Sequence, residues 1–341
     1  MNVTIKDVAK ISGVSPSTVS RVISNNPRIS DATKKIVREA MKKLGYHPNA
    51  IAQSLVNRST STIGIVMPQS TERAFLNPFF PQALSGISSA AHEKNYCLLL
   101  STGSTEEEQL ISIENIINGG RVDGIIIMYS SVNNVILEAI KELNTSIVII
   151  GKPLEGADKI LYVDNDNIEA SRSVTNKLIK NGHKKIAYVS GPFEFVVSLD
   201  RLDGYRNALL ENKVDFDRKL IGEGDFTQQG GYECMKKILQ CEDRPTAVVV
   251  TDDIMAFGVI EAIKEVGLNI PKDIEIISFN NIPLAKFCSP ALTSVDIDAY
   301  SLGFQASKLI IEQIKGTTES KRIIVPTSIV YRETFSEKNN Y

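Results

Sequence analysis

The sequence predicts an α/β protein in two parts: a small three-helix head with a joining segment, then a body of two doubly wound parallel-sheet lobes. Three observations carry this. The first 45 or so residues place apolar side chains at helical spacing between capping residues, glycine and proline. From Thr62 short apolar runs alternate with amphipathic stretches, as in parallel strands covered on both faces. That alternation passes through two successive series, and 341 residues suffice for two or three domains.

The head opens with TIKDVAKISGVSPSTVSRVI, residues 4–23. Thr4 and Asp7 have capping-box spacing, so a helix starts near Ile5, with Ile5, Val8, Ala9 and Ile11 as its apolar face. Gly13 can take the positive φ that ends it. Ser15 is a good N-cap, and Pro16 stands at N1, where its missing N–H costs nothing. A second helix then runs over 16–23, with Val19, Val22 and Ile23 inward and Ser15, Ser17, Thr18, Ser20 and Arg21 outward. After a polar turn from Asn25 to Arg28, Ser30 caps a third helix with Asp31 in its first turn, where the dipole favours an acid. Ile36, Val37, Ala40, Met41 and Leu44 form its buried stripe, and Gly45 ends it.

Two short helices joined in this way make a helix-turn-helix unit, whose second helix enters the DNA major groove. Hydroxyls suit phosphate oxygens, and an arginine suits the two acceptors of guanine. A plain helical hairpin with a solvated polar face fits the same pattern. Charge adds to the DNA reading. Residues 1–60 hold ten Lys or Arg against three Asp or Glu, a net +7; with −2 overall, the remainder carries −9. A basic head on an acidic body suggests a polyanion-binding module joined to something else.

The opening string, continued by NPRIS and LGYHPNAIAQSL, resembles the headpiece of the lactose/galactose repressor (LacI/GalR) family almost position by position. Weaker signatures extend the resemblance over essentially the whole chain. It implies a DNA-binding domain at 1–46, a hinge at 47–61 and an effector-binding, dimerising core at 62–341. It implies DNA contacts from Thr4, Ser15, Pro16, Ser17, Thr18, Arg21, Asn25, Asn49, Ala52 and Leu55. By its residues alone, 49–61 reads as a flexible linker with room for a short helix over 50–56, too short to hold in water. The resemblance adds a second state, a hinge helix on DNA with Leu55 as an apolar wedge in the minor groove.

In the body, strands are expected at 63–67, 96–100, 124–128, 147–150, 186–189, 247–250 and 274–278. Helices are expected at 77–94, 106–118, 135–143, 169–180, 201–212, 229–239, 254–265 and 298–315. The resemblance supplies two lobes of periplasmic-binding-protein type with chain crossings near 162–165, 290–296 and 321–326. The lobes then comprise 62–162 plus about 293–321, and 163–292 plus about 322–335. Ligands bind such sheets at the carboxyl ends of the strands.

Arg201 matches the family arginine that holds effector oxygens, and a five-donor fork suits adjacent hydroxyls; without the family it reads as a surface salt bridge. Asp252 and Asp253 follow a buried strand; Asp252 is assigned to ligand, Asp253 to capping or lobe structure. Asn280 follows another strand end, where many family members have Asp-Asp and this chain has Asn-Asn. Phe226 falls where sugar-binding members place an aromatic, and Phe79 and Phe80 stand at the mouth of the first lobe. Aromatics beside hydroxyl-binding groups suit a saccharide, although core packing explains them equally.

Other chemistry is not indicated. Asp164-Asn165-Asp166-Asn167 starts like a calcium loop but lacks the later Gly and Glu, and reads instead as a crossover with a helix cap. His47, His92 and His183 are scattered, no phosphate-cradling glycine motif or nucleophile elbow occurs, and no cofactor, metal or enzyme activity is expected. Cys97, Cys234, Cys241 and Cys288 lack metal spacing and read as reduced and mostly buried. No signal peptide or membrane-spanning run is visible, so the expected location is cytoplasmic.

The expectation is a ligand-responsive repressor acting as a homodimer on a pseudopalindromic operator. The NPFF and SFNN stretches resemble those of maltose-responsive members. A global carbon-control repressor with a phosphoprotein co-repressor, or a non-regulatory sugar-binding protein, are the alternatives. The last residues show no leucine heptad, so assembly is expected to stop at a dimer built on helices 77–94 and 254–265.

Overall fold

The computed structural model describes residues 3–47, 59–68, 71–101, 103, 105–133, 135–143, 145–318 and 322–336. The chain divides into two units, 1–61 and 62–341. The first contains α1 (Ile5–Ser12), α2 (Pro16–Ile23) and α3 (Asp31–Leu44). Val8, Ala9, Val19, Val22, Val37 and Ala40 form its core. Local signals set the ends. Gly13 and Gly45 leave α1 and α3 at φ 68° and 63°, and the Ser15 and Ser30 hydroxyls cap Thr18 N–H and Thr33 N–H. Ile11 and Ile36 depart from expectation: they are 49% and 52% exposed, because so small a bundle buries only a narrow stripe of each helix.

The second unit begins with β1 (Thr62–Val66), α4 (Thr71–Leu76), α5 (Phe79–Glu93), β2 (Cys97–Leu100), α6 (Glu106–Asn118), β3 (Gly124–Ile127), α7 (Val135–Glu142), β4 (Ser146–Ile150) and β5 (Leu161–Asp164). It continues with α8 (Asn167–Lys180), β6 (Ile186–Ser190), α9 (Val196–Glu211), β7 (Ile221–Glu223), α10 (Gln228–Ile238), β8 (Ala247–Val250), α11 (Asp253–Glu265), β9 (Glu275–Phe279) and β10 (Ser294–Asp296). It closes with α12 (Ala299–Ile314), β11 (Arg322–Ile324) and β12 (Ser328–Val330). One sheet has the order β11-β5-β4-β3-β1-β2, the other β12-β10-β9-β8-β6-β7. Every pairing is parallel except that of β12 on β10. Runs such as Ile125-Ile126-Ile127 and Val248-Val249-Val250 are buried on both faces, which parallel sheets require.

Both lobe returns are shifted from expectation. β10 pairs with β9, so the second lobe keeps 294–296 and the first resumes only at α12. β11 pairs with β5, so 322–324 belong to the first sheet, not the second. A three-residue strand has no readable period; its edge pairing is a tertiary outcome. The helix expected from 201 starts at Val196, since Phe195 offers no side-chain cap and two valines hide the start.

Glycines set two close helix pairs. A Cβ on Gly86 would fall 2.0 Å from Tyr300 O, and one on Gly303 1.9 Å from Ala83 O, so α5 and α12 meet backbone to backbone. Gly231 against Met255 O and Gly258 against Gln228 O do the same for α10 and α11. The two helices expected to carry a dimer contact, α5 and α11, thus each spend one face inside the chain. Of the cysteines only Cys234 is buried; Cys97 is exposed and Cys241 and Cys288 are intermediate, which corrects the mostly buried expectation.

Candidate functional site

A cavity of about 610 Å³ lies between the two lobes of the second unit. Its polar wall is built from strand ends. Arg201 projects from the first turns of α9 and is only 4% exposed, which rules out the surface salt bridge. Its Nε donates to Asn167 Oδ1 at 2.9 Å and its Nη1 to the Thr251 carbonyl at 2.6 Å. The guanidinium lies 4.2 Å from the centre of the Phe279 ring, a cation–π contact. Asn167, at the start of α8, also donates to Asp164 Oδ1 at 3.0 Å, while Lys152 N–H donates to Asp164 Oδ2 at 3.0 Å. Burial pushes the Asp164 carboxyl up to about 7.

Asp252 lines the cavity and also caps a helix, while of the two roles open to Asp253 the structure gives it lobe structure and not capping. Asp252 is the N-cap of α11, accepting Ile254 N–H at 2.7 Å on Oδ1. Its Oδ2 accepts from Asn280 Nδ2 at 2.8 Å and from Asn77 Nδ2 of the other lobe at 2.9 Å. Desolvation raises its pKa. Asp253 caps nothing. It accepts from the Ser278 and Ser294 hydroxyls and from Ile282 N–H, joining β9, β10 and the turn between them, and burial raises its carboxyl to about 7.

Asn280 and Asn281 hold φ of 102° and 48°, a region that asparagine tolerates better than other L-residues with a Cβ. The amide at 280 is also an electrostatic fit, because an aspartate there would set a second carboxylate against Asp252. Asn281 is tied into the lobe, donating to Asp296 Oδ2 and accepting from Arg332.

The apolar wall is aromatic. Phe79 and Phe80 meet edge to face at 5.0 Å, and the Phe226 ring lies so close to Gly191 that a Cβ there would stand 2.2 Å from it. Phe79, Phe80, Arg201, Phe226, Asp252 and Asn280 all line the cavity. So do Asn77, Asp164, Asn167, Tyr129 and Phe195, which sequence reasoning missed. Asn77 opens the NPFF stretch, and Asp164 and Asn167 belong to the string read as a crossover; Phe195 had no local signal. Asp166 does cap α8 through Glu169 N–H.

On the first unit, Ser15, Pro16, Ser17 and Arg21 are exposed on or beside α2, with Thr18 half-buried. The Ser15 hydroxyl is occupied by its cap and by contacts of 2.8 and 2.9 Å to the Ser17 and Thr18 hydroxyls. Thr4 gives its N–H and hydroxyl to Asp7, which lowers the Asp7 pKa. Asn25, at φ 51°, accepts from Arg38. Asn49, Ala52 and Leu55 lie outside the described residues. Among the described residues no His/Cys/Asp/Glu group is placed to hold a metal, and no helix is long and apolar enough to cross a membrane.

Residues 4–49 match the model for bacterial regulatory proteins of the lacI family, and 175–335 match the periplasmic binding protein-like domain. The HTH-type transcriptional regulator MalR of Streptococcus pneumoniae is 38% identical over 342 aligned positions, covering 99% of each chain. Among solved structures, a transcriptional regulator CelR–cellobiose complex superposes with a TM-score of 0.78 at 30% identity, over 98% of this chain and 100% of that one. The lac repressor dimer bound to operator and the anti-inducer ONPF gives 0.85 at 26% identity, over 98% and 99%.

Proposed function

The chain belongs to the lacI family of bacterial regulatory proteins, and from that premise we propose an operator-binding transcriptional repressor whose affinity for DNA is set by a disaccharide, maltose, in the interlobe cavity. The observation that carries the effector half is the cavity itself: about 610 Å³, lined by phenylalanine rings together with Arg201, Asp252 and Asn280. Rings cover the apolar faces of a sugar, while amide, carboxylate and guanidinium groups meet its hydroxyls. Maltose as the sugar follows the resemblance of the NPFF and SFNN stretches to maltose-responsive members. The DNA half rests on the basic head and the exposed hydroxyl-and-arginine face of α2. Two heads in a homodimer match a two-fold operator.

Two constructions test the two halves separately. Residues 62–341 alone should give a calorimetric maltose titration and lose operator binding by fluorescence anisotropy. In the full chain, Arg21→Ala should cost about 1–3 kcal/mol per half-site and relax specificity at one base pair. A fragment that still binds operator would overturn the head assignment. Heat with another disaccharide and none with maltose would overturn the effector alone.

A further inference from the structure

The lobes also meet directly, on the side of the cavity away from their covalent crossovers. The crossovers leave the sheets at β5, β10 and β11, where Asn165 Nδ2 donates to the carbonyls of Ile297 and Val325 and ties the three segments together. The direct contact comes instead from the ends of β3 and β6. β3 stands two strands from β5 and β6 three from β10, about 10 and 14 Å further across their sheets.

There Ser131 and Phe195 form one isolated antiparallel bridge. Val132 N–H donates to the Glu194 carbonyl at 2.8 Å and Val196 N–H to the Ser130 carbonyl at 3.0 Å. No further rung extends it among the described residues, so two hydrogen bonds carry the backbone contact. The Phe195 ring sits between Tyr129 of the first lobe, 6.3 Å away, and Phe226 of the second, 5.8 Å away. All three rings line the cavity.

We infer that the Ser131–Phe195 bridge is the gate of the cavity: ligand enters and leaves when its two hydrogen bonds break and Phe195 separates from Tyr129, with the Asn165-stapled crossovers as the pivot. The inference rests on the cavity being the ligand site, not on the ligand being maltose. An isolated rung with two bonds opens far more readily than a ladder, yet re-forms in one register. Gates of this kind set the rate of ligand exchange rather than its chemistry. The Asn77–Asp252 hydrogen bond crosses the same cleft and would part in the same motion.

Residue-resolved hydrogen–deuterium exchange on the ligand-free full chain reads the gate directly. The Val132 and Val196 amides should exchange at one shared rate, at least tenfold faster than the amides of Ile126 in β3 and Val189 in β6. Protection equal to those strands, or unrelated rates at 132 and 196, would overturn the gate. The second measurement locks it. Ser131 and Phe195 occupy a non-hydrogen-bonded antiparallel pair, whose Cα spacing suits a disulfide. In a Cys97→Ser background carrying Ser131→Cys and Phe195→Cys, oxidation should slow maltose association at least tenfold relative to the same protein reduced, by stopped-flow. Equal rates would overturn the gate. If the unmodified chain does not bind maltose, the effector identity fails and the exchange measurement alone decides the gate.

Discussion

The two lobes share a parallel-sheet topology and divide the chemistry of the cavity between them. The first contributes mainly rings, Phe79, Phe80 and Tyr129, together with Asn77. The second adds the rings of Phe195 and Phe226 and supplies Arg201, Asp252 and Asn280, each held by further bonds within that lobe. Hydrogen-bonding groups discriminate only if their own orientation is fixed, and fixing it demands a satisfied buried network. The second lobe supplies that network through Asn167, the Thr251 carbonyl and the Ile254 N–H. Rings tolerate sliding, so the first lobe can shift against a ligand that the second lobe grips.

The hardest test of this division is Arg201→Ala. It removes two hydrogen bonds and leaves Asn167 Oδ1 and the Thr251 carbonyl without their donor. Effector affinity should fall at least a hundredfold, about 3 kcal/mol, with operator binding retained. An unchanged calorimetric titration would sink the division.

Asn280→Asp probes the same wall electrostatically. It would place a carboxylate within about 3 Å of Asp252 Oδ2, where the amide now donates at 2.8 Å. Two like charges so close cannot both ionise at low cost, so one stays protonated. By calorimetry, Tm should drop by several degrees at pH 8 and recover in part at pH 5. A pH-independent loss would instead indicate strain at the positive φ.

On the aromatic wall, Phe80→Ala should weaken the effector only about tenfold, near 1.4 kcal/mol. A loss larger than that of Arg201→Ala would reverse the roles assigned to the lobes.

The smallest effect concerns Asp164, whose folded-state pKa of about 7 lies above its ordinary 3.8. Between those values the native chain binds the extra proton, so this group's contribution to stability is lost as pH rises through the window. Asp164→Asn removes that dependence. The Tm difference, variant minus wild type, should therefore increase from pH 5 to pH 8; a difference that stays flat would mean the carboxyl ionises normally.

The head was legible almost to the residue because its ends are local events. Ser15, Pro16, Ser30, Gly13 and Gly45 act on helices within four residues of themselves, and α2 and α3 have the bounds those residues imply. The long apolar runs of β3, β8 and β9 were equally plain. Burial was less so: Ile11 and Ile36 have helical spacing but too little core to enter.

What the sequence by itself determined was therefore the identity of the elements, the basic head and the residue types gathered at strand ends. Tertiary structure decided which sheet receives β10 and β11, that Asp252 caps while Asp253 braces the lobe, and that Asn77 and Phe195 join the cavity. The physical reason is range. Asn77 and Asp252 are 175 residues apart, and Ser131 meets Phe195 from another sheet. Caps and periodicities are written in neighbouring residues, whereas such pairs exist only once two lobes have folded and closed.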